Sequence, residues 1–186
     1  MKKPIFFTLS AGAFILTLFL IASCTSQQND GMDGTTTVPF LTYAIAQLMP
    51  LQDSGVSGTV TFTAQEGGVR VQATLTGLPQ GKHGFHIHQY GDCTATDGTS
   101  AGGHFNPTDH PHSGSDSTDR HMGDLGNIES DGATASLDYL DTKIEMALIL
   151  GRGVIVHAAE DDLISQPTGN AGGRLGCGVI GVKSQP

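Results

Sequence analysis

The chain has 186 residues, 38% hydrophobic content and a formal net charge of −9. This length supports one well-buried domain, and the acidic balance argues against nucleic acid or an anionic lipid surface as a binding partner. The 26 glycines, the absence of tryptophan and the few runs with helical periodicity favour short strands joined by tight turns.

The N-terminus has the pattern of a secretory signal. Lys2 and Lys3 precede an uncharged apolar run over residues 5–22, which fits a charged region followed by a hydrophobic one. An uncleaved membrane helix is the alternative. The residues Ile21-Ala22-Ser23-Cys24 resemble the lipobox of bacterial lipoproteins, which implies cleavage before Cys24 and lipidation of its thiol.

These features predict three segments. Residues 1–23 are a signal peptide of the lipoprotein type, residues 24–38 a lipidated N-terminus with a flexible tether, and residues 39–186 the folded domain. Thr25, rather than Asp, follows Cys24, which resembles the sorting signal of lipoproteins that leave the inner membrane. Two or three acyl chains on Cys24 would anchor the protein stably. We therefore expect an exported, periplasmic lipoprotein of the cell envelope, held to a membrane through this lipid.

The remaining cysteines form an even pair. Lipidation of Cys24 leaves Cys93 and Cys177, and an exported protein folds in a compartment where disulfides persist. We predict that these two cysteines are bridged. Two buried free thiols are the alternative.

Residues that alternate between apolar and polar predict strands. The clearest run is 56–63, where Val56, Gly58, Val60 and Phe62 alternate with serine and threonines. Residues 40–48 are apolar and β-prone, although their alanines leave a helix possible. In all, we predict eight strands, in residues 40–48, 56–63, 69–75, 83–90, 133–139, 144–150, 154–157 and 174–182.

Two long segments have no periodicity. Residues 92–125 and 158–173 are rich in Gly, Asp and Pro, and loops of this length in a compact domain are usually functional. The predicted fold is therefore all-β, an antiparallel sandwich or barrel with two long functional loops.

Histidines in and around these loops indicate a metal site. His86 and His88 are two residues apart in an extended segment, so their side chains share one face and can chelate one ion. Four further histidines and one acid follow, at His104, His112, His121, His157 and Asp124. All-imidazole ligation suits copper, zinc, nickel or iron, and three histidines with one carboxylate suit tetrahedral zinc. Seven ligands imply more than one ion, so we interpret the protein as a metalloenzyme.

Residues 43–184 resemble copper/zinc superoxide dismutase of the bacterial exported lipoprotein type. The resemblance depends on five motifs: GFHIH at 84–88, GD at 91–92, GHFNP at 103–107, RHMGDLGN at 120–127 and GNAGGRLGCGVIG at 169–181. It implies an eight-stranded antiparallel Greek-key barrel.

The resemblance also implies one copper and one zinc ion per subunit. Copper would bind His86, His88, His104 and His157, and zinc would bind His104, His112, His121 and Asp124. His104 would bridge the two ions. Asp161 would accept hydrogen bonds from the free ring nitrogens of His86 and His112, and Arg174 would guide the anionic substrate above the copper. Without the resemblance, Asp161 could be an exposed acid and Arg174 a member of a surface ion pair.

The implied activity is dismutation of superoxide to dioxygen and hydrogen peroxide. Copper would be reduced and reoxidised in turn, while His104 releases and regains it and carries a proton. A non-catalytic lipoprotein that binds or delivers copper is the alternative, and a surface adhesin with structural metals is a third possibility. The sequence leaves monomer and homodimer open.

Other charged and imidazole groups have weaker roles. We expect His83 to make a structural hydrogen bond and His110 to be solvated. The segment 158–173 contains no lysine but holds Glu160, Asp161 and Asp162. Electrostatic steering must therefore depend on Arg174 and on cations elsewhere, such as Lys82 or Lys143.

Overall fold

The computed structural model describes residues 41–185. The predicted signal peptide, the lipidation site Cys24 and the tether over 24–38 all lie outside these residues. Within the described part, no helix is both long enough and apolar enough to cross a membrane.

The described residues form a closed antiparallel barrel of eight strands. The strands are β1 (Tyr43–Pro50), β2 (Ser57–Gln65), β3 (Gly68–Thr76), β4 (Gly81–His88), β5 (Asp124–Ser130), β6 (Thr134–Asp141), β7 (Gly153–His157) and β8 (Arg174–Val182). Around the barrel they follow the order β1-β2-β3-β6-β5-β4-β7-β8. Because β3 lies beside β6 and β4 beside β7, the connections β3–β4 and β6–β7 cross the barrel ends, as in a Greek key. The predicted fold class is confirmed.

The alternating strands form the barrel core because each has one apolar face, which is buried. In β3, Val69, Val71, Ala73 and Leu75 are buried while the residues between them are exposed. Fully burying a valine or leucine side chain contributes about 1.5–3 kcal/mol. Phe62 on β2 completes this part of the core.

One predicted strand is wrong. Residues 144–150 hold a short helix, α1 (Met146–Ile149), rather than a strand. Ile144, Met146 and Ile149 are buried, and the spacing of three between Met146 and Ile149 suits a helical turn. An apolar run this short does not by itself separate helix from strand.

One strand was not predicted. β5 begins at the end of the segment that we predicted to be irregular. Gly126 adopts a positive φ of 81°, and the first three residues of β5 are all buried. The period of two is lost at these residues, so the sequence pattern does not reveal the strand.

A disulfide attaches the first long loop to the barrel. Cys93 is bonded to Cys177 of β8, with 5.8 Å between the Cα atoms, and the predicted pairing is confirmed. The bond joins positions that are 84 residues apart, for which chain entropy gives an upper value of about 4–5 kcal/mol.

Candidate metal centre

Four histidines from three parts of the chain form one buried cluster. His86 and His88 come from β4, His157 from the end of β7, and His104 from the loop between β4 and β5, where it pairs with His88 in an isolated bridge. One ring nitrogen of each lies within 4.8 Å of the others. All four residues are at most 5% exposed.

Each ring is oriented by a partner on its outer nitrogen. Nε2 of His86 lies 2.7 Å from Asp161, and Nδ1 of His88 lies 2.9 Å from the Gly102 carbonyl oxygen. A carboxylate or carbonyl partner of this kind fixes the orientation of a metal-binding imidazole. The remaining nitrogen of each ring therefore faces the cluster.

The inward nitrogens have no partner among the described residues. They are Nδ1 of His86 and Nε2 of His88, His104 and His157, and all are buried. A buried polar atom without a hydrogen bond costs about 1–3 kcal/mol. Four such atoms that face one another fit a shared metal ion. Copper suits this site, because imidazole is one of the ligands that copper prefers.

Burial keeps these rings unprotonated at neutral pH. It lowers the pKa of His86 to about 3 and that of His157 to about 4, and it holds the pKa of His88 well below its ordinary value. A neutral ring has a free lone pair, which metal coordination requires.

A second cluster adjoins the first. The Nδ1 atoms of His104, His112 and His121 lie 2.9, 3.0 and 3.1 Å from the same carboxylate oxygen of Asp124. Tetrahedral zinc with bonds of about 2.0–2.1 Å places its ligands about 3.3 Å apart. The spacing therefore fits a zinc ion, and His104 belongs to both clusters through its two ring nitrogens.

The carboxylate of Asp124 is held as an anion. Burial raises its pKa, but hydrogen bonds from His104, His112 and His121 outweigh this effect and lower the pKa below its ordinary value. The second carboxylate oxygen accepts from the main-chain N–H groups of His121 and Ser113, each at 3.1 Å. The fourth group of the cluster is thus oriented and charged.

Asp161 connects the two clusters. Its carboxylate contacts Nε2 of His86 at 2.7 Å and Nε2 of His112 at 2.9 Å, and the residue is 1% exposed. Asp161 therefore lies between the rings of His86 and His112, the two partners that the family resemblance implies for it. Burial lowers the pKa of His112, but Asp124 and Asp161 together raise it to about 9.

Two residues that support Asp161 were not singled out from the sequence. The side-chain amide of Asn127 donates to the main-chain oxygen of Asp161 at 2.9 Å and accepts from its N–H at 2.8 Å. Gly169 has a φ of 64°, and a Cβ there would lie 1.8 Å from the Asp161 carboxylate. Both residues lie within motifs that carry the family resemblance. Their membership of these motifs is the sequence feature from which their roles could have been predicted.

Arg174 lies beside the four-histidine cluster. It pairs with His157 in the register of β7 and β8, and its positive charge helps to lower the pKa of both His88 and His157. Its guanidinium donates to the Gly102 carbonyl at 2.6 Å and to the Gly98 carbonyl. Because both carbonyls belong to the loop that Cys93 attaches to β8, the disulfide also helps to position this arginine.

The other groups lie outside the two clusters. Nδ1 of His83 lies 2.9 Å from the His157 carbonyl and its Nε2 lies 3.0 Å from the Pro79 carbonyl, so this ring has a structural role. His110 is partly exposed and lies 2.7 Å from Asp119. Lys82 pairs with Glu160 at 3.2 Å on the surface.

A β-barrel with two adjoining histidine clusters that share one imidazole defines a class of two-metal proteins. Residues 56–180 match the model of one such family, copper/zinc superoxide dismutase (SODC). The chain belongs to this family.

Curated relatives and a solved structure agree with this assignment. An extracellular superoxide dismutase [Cu-Zn] of Drosophila melanogaster is 48% identical over 156 residues, which cover 75% of this chain and 85% of the relative. Superoxide dismutase [Cu-Zn] A of Xenopus laevis is 46% identical over 136 residues, or 68% of this chain and 89% of the relative. The crystal structure of the clock protein EA4 superposes with a TM-score of 0.69 at 40% identity, and covers 76% of this chain and 95% of that one.

Proposed function

We propose that the protein dismutes superoxide, so that two superoxide ions and two protons give dioxygen and hydrogen peroxide. Copper would be held by His86, His88, His104 and His157. The observation that supports this most strongly is the set of four buried ring nitrogens without hydrogen-bond partners. Bound copper supplies a one-electron couple, which accepts an electron from one superoxide ion and returns it to another.

We propose that zinc is held by His104, His112, His121 and Asp124. Zinc has no redox chemistry, so its role is structural and electrostatic. The Nδ1 atom of His104 faces Asp124 at 2.9 Å, and Nε2 of the same ring faces the copper cluster. Nε2 of His104 is therefore the atom that can hold a proton and deliver it to the reduced substrate.

The direct test is turnover by the purified protein. With one copper and one zinc ion per subunit, we expect catalytic dismutation in an assay coupled to xanthine oxidase, and we expect none after chelation of copper. A copper-delivering protein would instead bind copper in the same ratio and transfer it to a chelating acceptor without turnover. Stoichiometric binding without dismutation would contradict the proposal.

Arg174 would be the main local cation for the anionic substrate. Lys82 is paired with Glu160, and the loop over 158–173 has no lysine. We expect Arg174→Ala to lower kcat/KM about ten-fold, at the low end of the effects known for electrostatic steering. Stopped-flow measurements against ionic strength should show a shallow fall for the wild type and no fall for Arg174→Ala.

Arg174→Lys is the matched control for this prediction, because it keeps the charge and shortens the reach to the Gly98 and Gly102 carbonyls. It should retain the salt dependence. Identical salt dependence in the wild type and Arg174→Ala would show that Arg174 does not steer the substrate.

We propose that the protein is exported as a lipoprotein, with a signal peptide over residues 1–23, lipid on Cys24, a tether over 24–38 and the superoxide dismutase domain over 39–186. The lipobox-like residues before Cys24 support the anchor. The Cys93–Cys177 disulfide supports an oxidising compartment. The extracellular location in the name of the Drosophila relative is consistent with export.

The anchor predicts that Cys24→Ser abolishes the incorporation of labelled palmitate into the protein. Because Cys24 precedes the domain, the variant should keep the Cys93–Cys177 bond and its metal content. Metabolic labelling followed by immunoprecipitation, with Ser26→Ala as a control that keeps the label, measures the incorporation. Equal labelling of Cys24→Ser and the wild type would contradict lipidation at this position.

A further inference from the structure

A glutamine in the second long loop holds the main chain of a proposed zinc ligand. The Oε1 atom of Gln166 accepts from the main-chain N–H of His112 at 2.7 Å. Its Nε2 donates to the main-chain oxygen of His112 at 2.8 Å. The two residues are 54 positions apart, so this amide joins the loop over 158–173 to the loop that carries His112.

The loop that carries Gln166 is itself well ordered by hydrogen bonds. Gly169 N–H donates to the Ser165 carbonyl at 2.7 Å, and Asp162 N–H donates to the Gly169 carbonyl at 2.9 Å. Nε2 of Gln166 also donates to the Ile164 carbonyl at 3.2 Å. Hydrogen bonds within its own loop therefore hold Gln166 in place.

His112 is then fixed at both ends. Gln166 holds its main chain, and Asp161 holds Nε2 of its ring at 2.9 Å. Nδ1 is left facing Asp124 at 3.0 Å. A ligand whose main chain and ring are both held loses little freedom when a metal binds.

We propose that Gln166 is a positioning residue of the zinc site. Its amide holds His112 in the ligating arrangement and links zinc retention to the loop that carries Asp161. The inference depends on the proposed binding of zinc by His104, His112, His121 and Asp124. It assigns Gln166 no contact with either metal.

The test is the rate of zinc release from the protein loaded with copper and zinc. We expect Gln166→Ala to release zinc into an excess of a chromogenic chelator about 10- to 100-fold faster than the wild type, the usual effect of removing a group that orients a ligand. Gln166→Glu keeps an acceptor but lacks the donor to the His112 carbonyl, so it should also release zinc faster. The rate of copper release should change less than two-fold. The thermal unfolding midpoint of the metal-free protein should change by less than 2 °C, about the shift for a small surface change.

Gln72→Ala is the matched control, since Gln72 donates its amide to exposed Asp138 on the far strands β3 and β6. It should release zinc at the wild-type rate. Unchanged zinc release in Gln166→Ala would overturn the inference. Faster release of both metals together with lower stability of the metal-free variant would also overturn it, because Gln166 would then support the fold in general.

The wild type separates this inference from the proposed function. If the wild type binds no zinc, as measured by metal analysis and by the visible spectrum after cobalt substitution, the proposed zinc site is contradicted along with the inference. If it binds zinc and the variants release it normally, only the role of Gln166 fails.

Discussion

Replacing His157 with alanine is expected to lower the dismutation rate about a thousand-fold, the effect of losing several kcal/mol of metal-assisted catalysis. His157 is 4% exposed, and its Nε2 is one of the four inward nitrogens. Alanine leaves three imidazoles and a cavity at the copper cluster. The main-chain carbonyl of His157, which accepts from His83, is kept, so the barrel should fold.

Zinc content should be normal in this variant, because His157 does not belong to the second cluster. Metal analysis with a pulse-radiolysis rate measurement checks both expectations. His110→Ala is the control, since His110 is partly exposed and pairs with Asp119 outside both clusters. Full activity in His157→Ala would show that copper does not act at this site.

Replacing Asp141 with alanine is expected to lower the free energy of unfolding by about 3–5 kcal/mol, the cost of leaving a buried charge without its partner. Both oxygens of Asp141 accept from Nη2 of Arg120 at 2.7 Å. Arg120 is 1% exposed. Asp141 also accepts from the Tyr139 hydroxyl and from the N–H groups of Lys143 and Ile144.

The turn that carries His121 and Asp124 should also become less ordered in the same variant. Nη1 of Arg120 donates to the main-chain oxygens of His121 and Asp124, each at 3.0 Å, so Asp141 anchors the arginine that holds this turn. Urea unfolding of the metal-free protein measures the stability, and chelator competition measures zinc affinity.

Asp138→Ala is the matched control on the same strand. Asp138 forms a two-pronged pair with Arg70, but both side chains are nearly half exposed. We expect its removal to cost less than about 1 kcal/mol, as for other surface ion pairs. Similar losses for Asp138→Ala and Asp141→Ala would contradict the assignment of a special role to the buried pair.

The sequence predicts the strands whose two faces differ. In β2 and β3, one face lies in the core and the other in solvent, so alternation is visible. Eight strands were predicted and residues 41–185 contain eight, but β5 was missed and the strand over 144–150 was wrong. The correct number therefore reflects two errors that offset each other.

The ligands and their supporting residues differ in how readily the sequence reveals them. His86 and His88 are two positions apart on one strand, so their chelation follows from local geometry. His104, His112 and His157 approach them only through the tertiary fold, and their division between two metals came from the family resemblance. Gln166 leaves no pattern in the sequence, because its bond to His112 spans two loops that only the folded chain brings together.

The proposed chemistry requires the ring of His104 to lie between two different metal ions. A crystal of the fully loaded protein, with anomalous diffraction recorded at the copper and zinc absorption edges, locates both ions. We expect a copper peak within bonding distance of Nε2 of His104 and a separate zinc peak within bonding distance of Nδ1. A single peak, or two peaks of which neither lies next to the His104 ring, would exclude a shared imidazole.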